Sequence, residues 1–185
     1  MRLLIASDIH GSATYCDRLL SRYEAEGADR LVLLGDILYH GPRNGLPDGY
    51  DPKKVADRLN AYAERILCVR GNCDSEVDQM VLAFPVLSDY ATVLTDKACL
   101  YLTHGHVYNI EAPLPVPKGS VVLSGHTHVP ACREQNGVYY LNPGSVSLPK
   151  GGSARGYILY MDGTFLFKSL DGEVLHTFSS EKPAQ

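Results

Sequence analysis

No stretch of the sequence approaches the ~18 consecutive apolar residues that a membrane-spanning helix needs, so an integral helical membrane protein is not expected. The N-terminal apolar run Leu3-Leu4-Ile5-Ala6 stops before Asp8, short of the ~7–15-residue core of an export signal. There is no run of lysine or arginine, and the formal net charge is −4. A long nucleic-acid-binding face normally leaves a basic cluster, so sequence-specific nucleic-acid binding is not expected either. The five cysteines, Cys16, Cys68, Cys73, Cys99 and Cys132, are odd in number, scattered and without a CxxC pair. They read as free thiols in a reducing compartment, and a cytoplasmic location is the expectation. No repeat, low-complexity segment or linker divides the chain. Its 185 residues and 45% hydrophobic content suit one domain over 1–185, with a polar tail at 179–185 expected to fray.

What is present alternates. Arg2–Ser7 is a short apolar run, read as a buried strand. Ser12 can cap a helix carrying Tyr15, Leu19, Leu20 and Tyr23 on one side. Arg30–Leu34 is a second strand. Asp51-Pro52 opens a second helix with Val55, Leu59, Tyr62 and Ala63 on its apolar face, and Ile66–Val69 is a third strand. This order argues for parallel strands with helices packed on them. A short helix over Ser75–Leu82 follows. Beyond Pro85 the pattern is strand after strand: Tyr90–Leu94, Ala98–Thr103, Val121–Ser124, Val138–Asn142, Gly156–Met161, Thr164–Ser169 and Glu173–Phe178. Asp162-Gly163 and Asp171-Gly172 are hairpin signals, and the second half reads as largely antiparallel.

Four segments carry metal-ligand side chains at strand ends: Asp8-Ile9-His10, Gly35-Asp36, Gly71-Asn72-Cys73-Asp74, and the histidine pairs His104-Gly105-His106 and His126-Thr127-His128. Taken singly, each has a plain reading, since turns favour Asp and Asn for their own reasons. Together they do not: five of the seven histidines lie in these segments. His40 and His176 lack such a setting and read as packing or surface residues. In open α/β sheets ligands sit beyond the carboxyl ends of the strands, so consecutive strands would deliver these groups to one edge. A two-metal centre needs a bridging carboxylate and several neutral ligands. Asp36, on the middle of the first three strands, is the expected bridge.

In this order the motifs resemble the calcineurin-like metallophosphoesterase family, whose pattern is D-x-H, GD, GN-[H/C]-[D/E], a histidine before glycine, and GHxH. The resemblance runs from Arg2 to about Ser147. Within the family, His40-Gly41-Pro42-Arg43-Asn44, Arg70–Gln79 and Asn142-Pro143-Gly144-Ser145 resemble the small bacterial YfcE-type phosphodiesterases. It implies an α/β fold, a sandwich of two mixed β-sheets flanked by helices. It also implies two divalent ions, manganese first, with zinc, iron or nickel as alternatives. One ion would be held by Asp8, His10, Asp36 and His128, the other by Asp36, Asn72, His104 and His126, with Asp36, Asn72 and His104 as catalytic residues. The implied reaction is hydrolysis of a small-molecule phosphodiester by a metal-bridging hydroxide. Phosphomonoesterase or nucleotide-specific activity on the same site, or a retromer-like protein-binding scaffold, are the alternatives. The chain departs from many members at Cys73, where they carry a histidine that assists the leaving group. Arg43, Cys73 and His106 are candidates for contacting substrate. Oligomeric state is left open, a homo-oligomer included.

Overall fold

The structure, a computed structural model, describes residues 1–180. Eleven strands and three α-helices follow in the order β1 (Arg2–Ala6), α1 (Ala13–Glu26), β2 (Arg30–Leu33), α2 (Pro52–Asn60), β3 (Ile66–Cys68), α3 (Glu76–Val81), β4 (Tyr90–Leu94), β5 (Cys99–Thr103), β6 (Val121–Leu123), β7 (Ala131–Gln135), β8 (Val138–Asn142), β9 (Gly156–Met161), β10 (Thr164–Ser169) and β11 (Val174–Ser179). They form a six-stranded sheet, β11-β10-β9-β1-β2-β3, and a five-stranded sheet, β4-β5-β6-β8-β7.

Side chains along a strand point alternately to opposite faces. In β1, Leu3 and Ile5 pack toward the second sheet with Val32, Ile158, Tyr160, Leu100, Leu102, Val121 and Leu123. Leu4 and Ala6 point the other way, onto α1 and α2 through Cys16, Leu19, Tyr23, Val55 and Leu59. A strand buried on both faces needs apolar residues at every position, which is why β1 reads as an unbroken run. The helices begin where expected. The Ser12 hydroxyl accepts the Tyr15 N–H at 3.2 Å, and Asp51 Oδ1 accepts the Lys54 N–H at 3.0 Å beside Pro52. The second helix is shorter than its apolar pattern, however: Ala63–Arg65 form a separate 3₁₀ turn.

Strands β1, β2 and β3 are parallel neighbours, as the alternating first third predicts. The antiparallel reading of the second half holds for β9, β10 and β11 and for the edge strands β4 and β7. It fails in the middle of the second sheet, where β5, β6 and β8 run parallel. Parallel neighbours need a long crossover, and the segment 104–120 supplies the one between β5 and β6. No helix forms there. The segment instead reaches both edges of its sheet: the Tyr108 ring meets Tyr90 of β4 edge-on at 6.2 Å, and the Ile110 carbonyl accepts from Gln135 of β7 at 2.9 Å.

Strand β7 is absent from the sequence reading. It pairs with β8 across the two-residue turn Asn136-Gly137, both residues having positive φ. Of the tail expected to fray, Ser179 closes β11 and the Ser180 N–H donates to the Gly163 carbonyl at 3.0 Å. Residues 181–185 lie outside the described residues. All five cysteines are free thiols, Cys16 and Cys68 buried. Among the described residues no helix is long and apolar enough to cross a membrane.

Candidate metal centre

Asp8 and His10 follow β1, Asp36 follows β2, Asn72 follows β3, His104 follows β5, and His126 and His128 follow β6. The carboxyl ends of the parallel strands of both sheets therefore meet along one rim, and these side chains meet there. Local backbone geometry is unusual. Asp8, His10, Asp36, His126 and His128 all have positive φ, between 50° and 68°. A non-glycine residue in this left-handed region costs roughly 1–2 kcal/mol, and such strain concentrates at functional sites. Neighbouring glycines permit the crowding. A Cβ on Gly71 would lie 2.1 Å from Asp36 Oδ1, and one on Gly125 would lie 1.9 Å from Ser7 Oγ.

The strained turns are held by hydrogen bonds that no candidate ligand supplies. The buried Asp74 carboxylate accepts three backbone N–H groups, from Asp36 at 2.8 Å, Ile37 at 2.9 Å and Gly71 at 2.7 Å. It thus ties the loop after β2 to the loop after β3. Its own burial outweighs these donors and raises its pKa. The Asp8 carbonyl accepts the hydroxyls of Ser145 at 2.8 Å and Ser147 at 3.0 Å. Asn142 Nδ2 donates to the Gly125 carbonyl at 2.6 Å. Sequence reasoning did not place Asp74, Ser145, Ser147 or Asn142 in the site. The Asp ending Gly71-Asn72-Cys73-Asp74 was the available signal for the first.

Three histidines have their tautomers fixed. Nδ1 of His10 donates to the Tyr39 carbonyl (2.8 Å), Nδ1 of His104 to the Leu34 carbonyl (2.7 Å) and Nδ1 of His128 to the Leu148 carbonyl (2.6 Å). A carbonyl only accepts, so each Nδ1 carries a proton and each Nε2 is free to ligate. The Nε2 atoms of His10 and His128 face each other at 3.2 Å, and Asp8 Oδ1 lies 3.5 Å from the first and 3.3 Å from the second. His104 Nε2 faces Asn72 Oδ1 at 3.0 Å. Asp36 Oδ2 lies between the two groups, 3.6 Å from His10 Nε2 and 3.5 Å from His104 Nε2. Its Oδ1 accepts the Cys73 N–H at 2.8 Å. Asp36 thus presents one carboxylate oxygen to both histidine clusters.

The centre is built for cations. Asp8 Oδ1 is buried without a hydrogen-bond partner, and acceptor atoms converge on it and on Asp36. Asp8, His10 and His128 offer ligand atoms within 4.8 Å of one another, as do Asp8, Asp36 and His104. Nitrogen and oxygen donors of this kind suit manganese, zinc or iron. The protonation behaviour agrees. Burial would lower the His104 pKa, yet its hydrogen bond to Asp36 and the Asp8 and Asp36 charges prevail and raise it to about 9. His10 is raised likewise, against burial, by Asp8 and the Tyr39 carbonyl. Burial would raise Asp8, but His10 and His128 hold it far below the usual carboxylate range. Without a metal, protons balance the carboxylates.

The remaining candidates lie around this core. The His126 ring sits 5.1 Å from that of His104, and the His126 backbone N–H donates to Asp8 Oδ2 at 3.1 Å. A cleft of about 400 Å³ opens onto the centre, lined by Asp36, Asn72, Cys73, His126 and His128 and also by Arg43 and Lys150. Cys73 Sγ accepts from Asn72 Nδ2 at 3.3 Å, and burial together with Asp36 pushes its pKa up to about 12. It is a neutral thiol at ordinary pH. The His106 ring lies edge-on to that of His104 at 5.3 Å, with its pKa lowered by burial and the His104 charge. His40, read as a packing residue, lies edge-on to Tyr39 and Tyr50.

Comparison with known proteins agrees with this architecture. A family model described as the calcineurin-like phosphoesterase superfamily domain matches residues 1–162. The chain is 50% identical over 157 residues to the phosphodiesterase YfcE of Escherichia coli strain K12, a match covering 85% of each. It superposes on the solved structure of Yfce, described as a phosphoesterase from E. coli, with a TM-score of 0.95 and 43% identity over 98% of this chain and 100% of that one. A zinc complex of Vps29 from Entamoeba histolytica shares the fold, with a TM-score of 0.67 at 20% identity over 98% of this chain and 100% of that one. With the family model spanning most of the chain and a relative at half identity covering the same length, this protein belongs to the calcineurin-like phosphoesterase superfamily.

Proposed function

We propose that the protein is a metal-dependent phosphodiesterase, a single-domain enzyme acting in the cytoplasm on a small-molecule phosphodiester. The observation that carries this is Asp36 Oδ2 standing between His10 and His104, which divides the donors into two sets sharing one carboxylate. Asp8, His10, Asp36 and His128 would hold one divalent ion, and Asp36, Asn72, His104 and His126 the other. Manganese fits the nitrogen and oxygen donors. The ions, when bound, supply Lewis acidity and a water nucleophile of lowered pKa. The similarity to a protein named phosphodiesterase YfcE supports the diester substrate.

The chain's own residues do the rest. The Tyr39, Leu34 and Leu148 carbonyls fix the three imidazoles so that each Nε2 is turned into the centre, where it would hold an ion. Asp74 holds the Asp36 and Asn72 loops in register, so the bridging oxygen does not drift as charge develops. Cys73, a neutral thiol at the cleft wall, is a weak hydrogen-bond donor and gives a departing alkoxide little help. Activated aryl diesters are therefore the favoured test substrates. A retained set of seven candidate ligands argues against a non-catalytic scaffold.

The test uses bis(4-nitrophenyl) phosphate. Chelated protein should be inactive, and manganese should restore activity together with two bound ions per chain by elemental analysis. Full turnover after chelation, or saturation at one ion, would end this reading.

A further inference from the structure

Two cations at the mouth of the cleft have no role in holding metal. Arg43 lies in the loop after β2, whose Asn44 side chain is tied to the His40 carbonyl at 2.8 Å. Lys150 is anchored on the other wall. Its backbone N–H donates to the His128 carbonyl at 3.1 Å, two residues beyond the Leu148 carbonyl that orients the His128 ring. Both residues line the cleft of about 400 Å³ with Asp36, Asn72, His126 and His128. Among the described residues neither side chain has a hydrogen-bond or ion-pair partner. Arg43 and Lys150 bring two positive charges to this cleft in excess of its candidate metal centre.

A plain diester does not need that excess. Its single charge would be met at the metal centre. Resting on the phosphodiesterase reading, we infer that Arg43 and Lys150 receive a second, dianionic group, so that the substrate is a phosphodiester bearing a terminal phosphomonoester on the arm that does not leave. Charge decides between a phosphate and a carboxylate. A phosphomonoester carries about −1.5 to −2 at neutral pH, matching two cations, whereas a carboxylate balances one. The chemistry of the pair fits as well. The arginine fork binds phosphate oxygens bidentately, and lysine acts as a mobile point charge.

The test compares two esters with the same 4-nitrophenolate leaving group, 2-phosphoethyl 4-nitrophenyl phosphate and 2-hydroxyethyl 4-nitrophenyl phosphate. The manganese-loaded protein should prefer the phosphorylated ester by about tenfold or more in kcat/KM, the scale of one charge-assisted contact. Lys150→Met and Arg43→Met should each erase most of that preference through KM, with a smaller effect on the hydroxyethyl ester. Calorimetry supplies a readout independent of turnover: ethylene glycol bisphosphate should bind the loaded protein about tenfold more tightly than the monophosphate, and both variants should narrow the gap. Equal kcat/KM for the two esters, or a preference that survives both substitutions, overturns the inference. If neither ester is hydrolysed, the phosphodiesterase reading fails and the calorimetric difference still judges the second anion site.

Discussion

Removing metal should make the protein's stability fall as pH rises, in a window set by His104. Its folded pKa is raised to about 9 from an ordinary 6.5, against burial, by the hydrogen bond to Asp36 and the charges of Asp8 and Asp36. A group whose folded pKa is raised contributes stability that is complete below its unfolded pKa and lost as pH climbs through the folded one. Each pKa unit is worth 1.36 kcal/mol, so the loss between pH 6.5 and 9 is about 3 kcal/mol. His104 is fully buried, so solvent screening takes little from this. His10, also raised, adds in the same direction. His106 and His126, which are lowered, act below 6.5, and the depressed Asp8 and Asp36 act at still lower pH. The window is therefore free of their opposing contributions. Bound metal replaces these protons, so manganese affinity should strengthen as pH rises, and the loaded protein should escape the loss. Urea midpoints of metal-free and manganese-loaded protein at pH 6.0 and 9.0 measure both effects. Metal-free protein as stable at pH 9.0 as at 6.0, or manganese affinity independent of pH across this range, would refute the reasoning.

Asp74→Asn should cost about 2–4 kcal/mol in unfolding free energy, because an amide cannot accept all three backbone N–H groups and leaves one facing its own NH₂; manganese affinity should fall with it, and an unchanged urea midpoint would contradict the tie between the two ligand loops. In metal-free protein His126→Gly should be more stable than His126→Ala by about 1 kcal/mol, since the residue sits at φ 68° where glycine is unstrained; equal midpoints would show that no strain is stored there. Cys73→His should raise kcat/KM on alkyl diesters by about 10²-fold, the lower range of general acid assistance, and on aryl diesters far less. An equal response of both ester types would mean that the position shapes the cleft and donates no proton.

The parts of this structure that were legible beforehand are those with local causes. The unbroken apolar run of β1, the Ser12 and Asp51 caps and the glycines beside Asp36 and His126 each leave a mark within a few residues. Strand direction in the second sheet leaves none, because β5, β6 and β8 become parallel only through the crossover of residues 104–120. Strand β7 escaped for another reason. It is an edge strand with Arg133, Glu134 and Gln135 exposed, and edges tolerate charge where central strands do not. Its Asn136-Gly137 turn was a readable sign. Motif spacing brought the seven candidate ligands into view, but not what holds them. Asp74 looks like any turn aspartate until its three donors are seen. Lys150 lies outside every motif, and only the folded chain places it across the cleft from Arg43.

The bonds from Ser145 and Ser147 to the Asp8 carbonyl bear on biosynthesis. A nascent chain that has left the ribosome through His128 already carries all seven candidate ligands. It still lacks β8, the two serines, and β9, the antiparallel neighbour of β1. Until that later segment arrives, the Asp8 carbonyl lacks both hydroxyl donors and β1 lacks its antiparallel neighbour. The centre thus gains its full support only once the segment through β9 has been made.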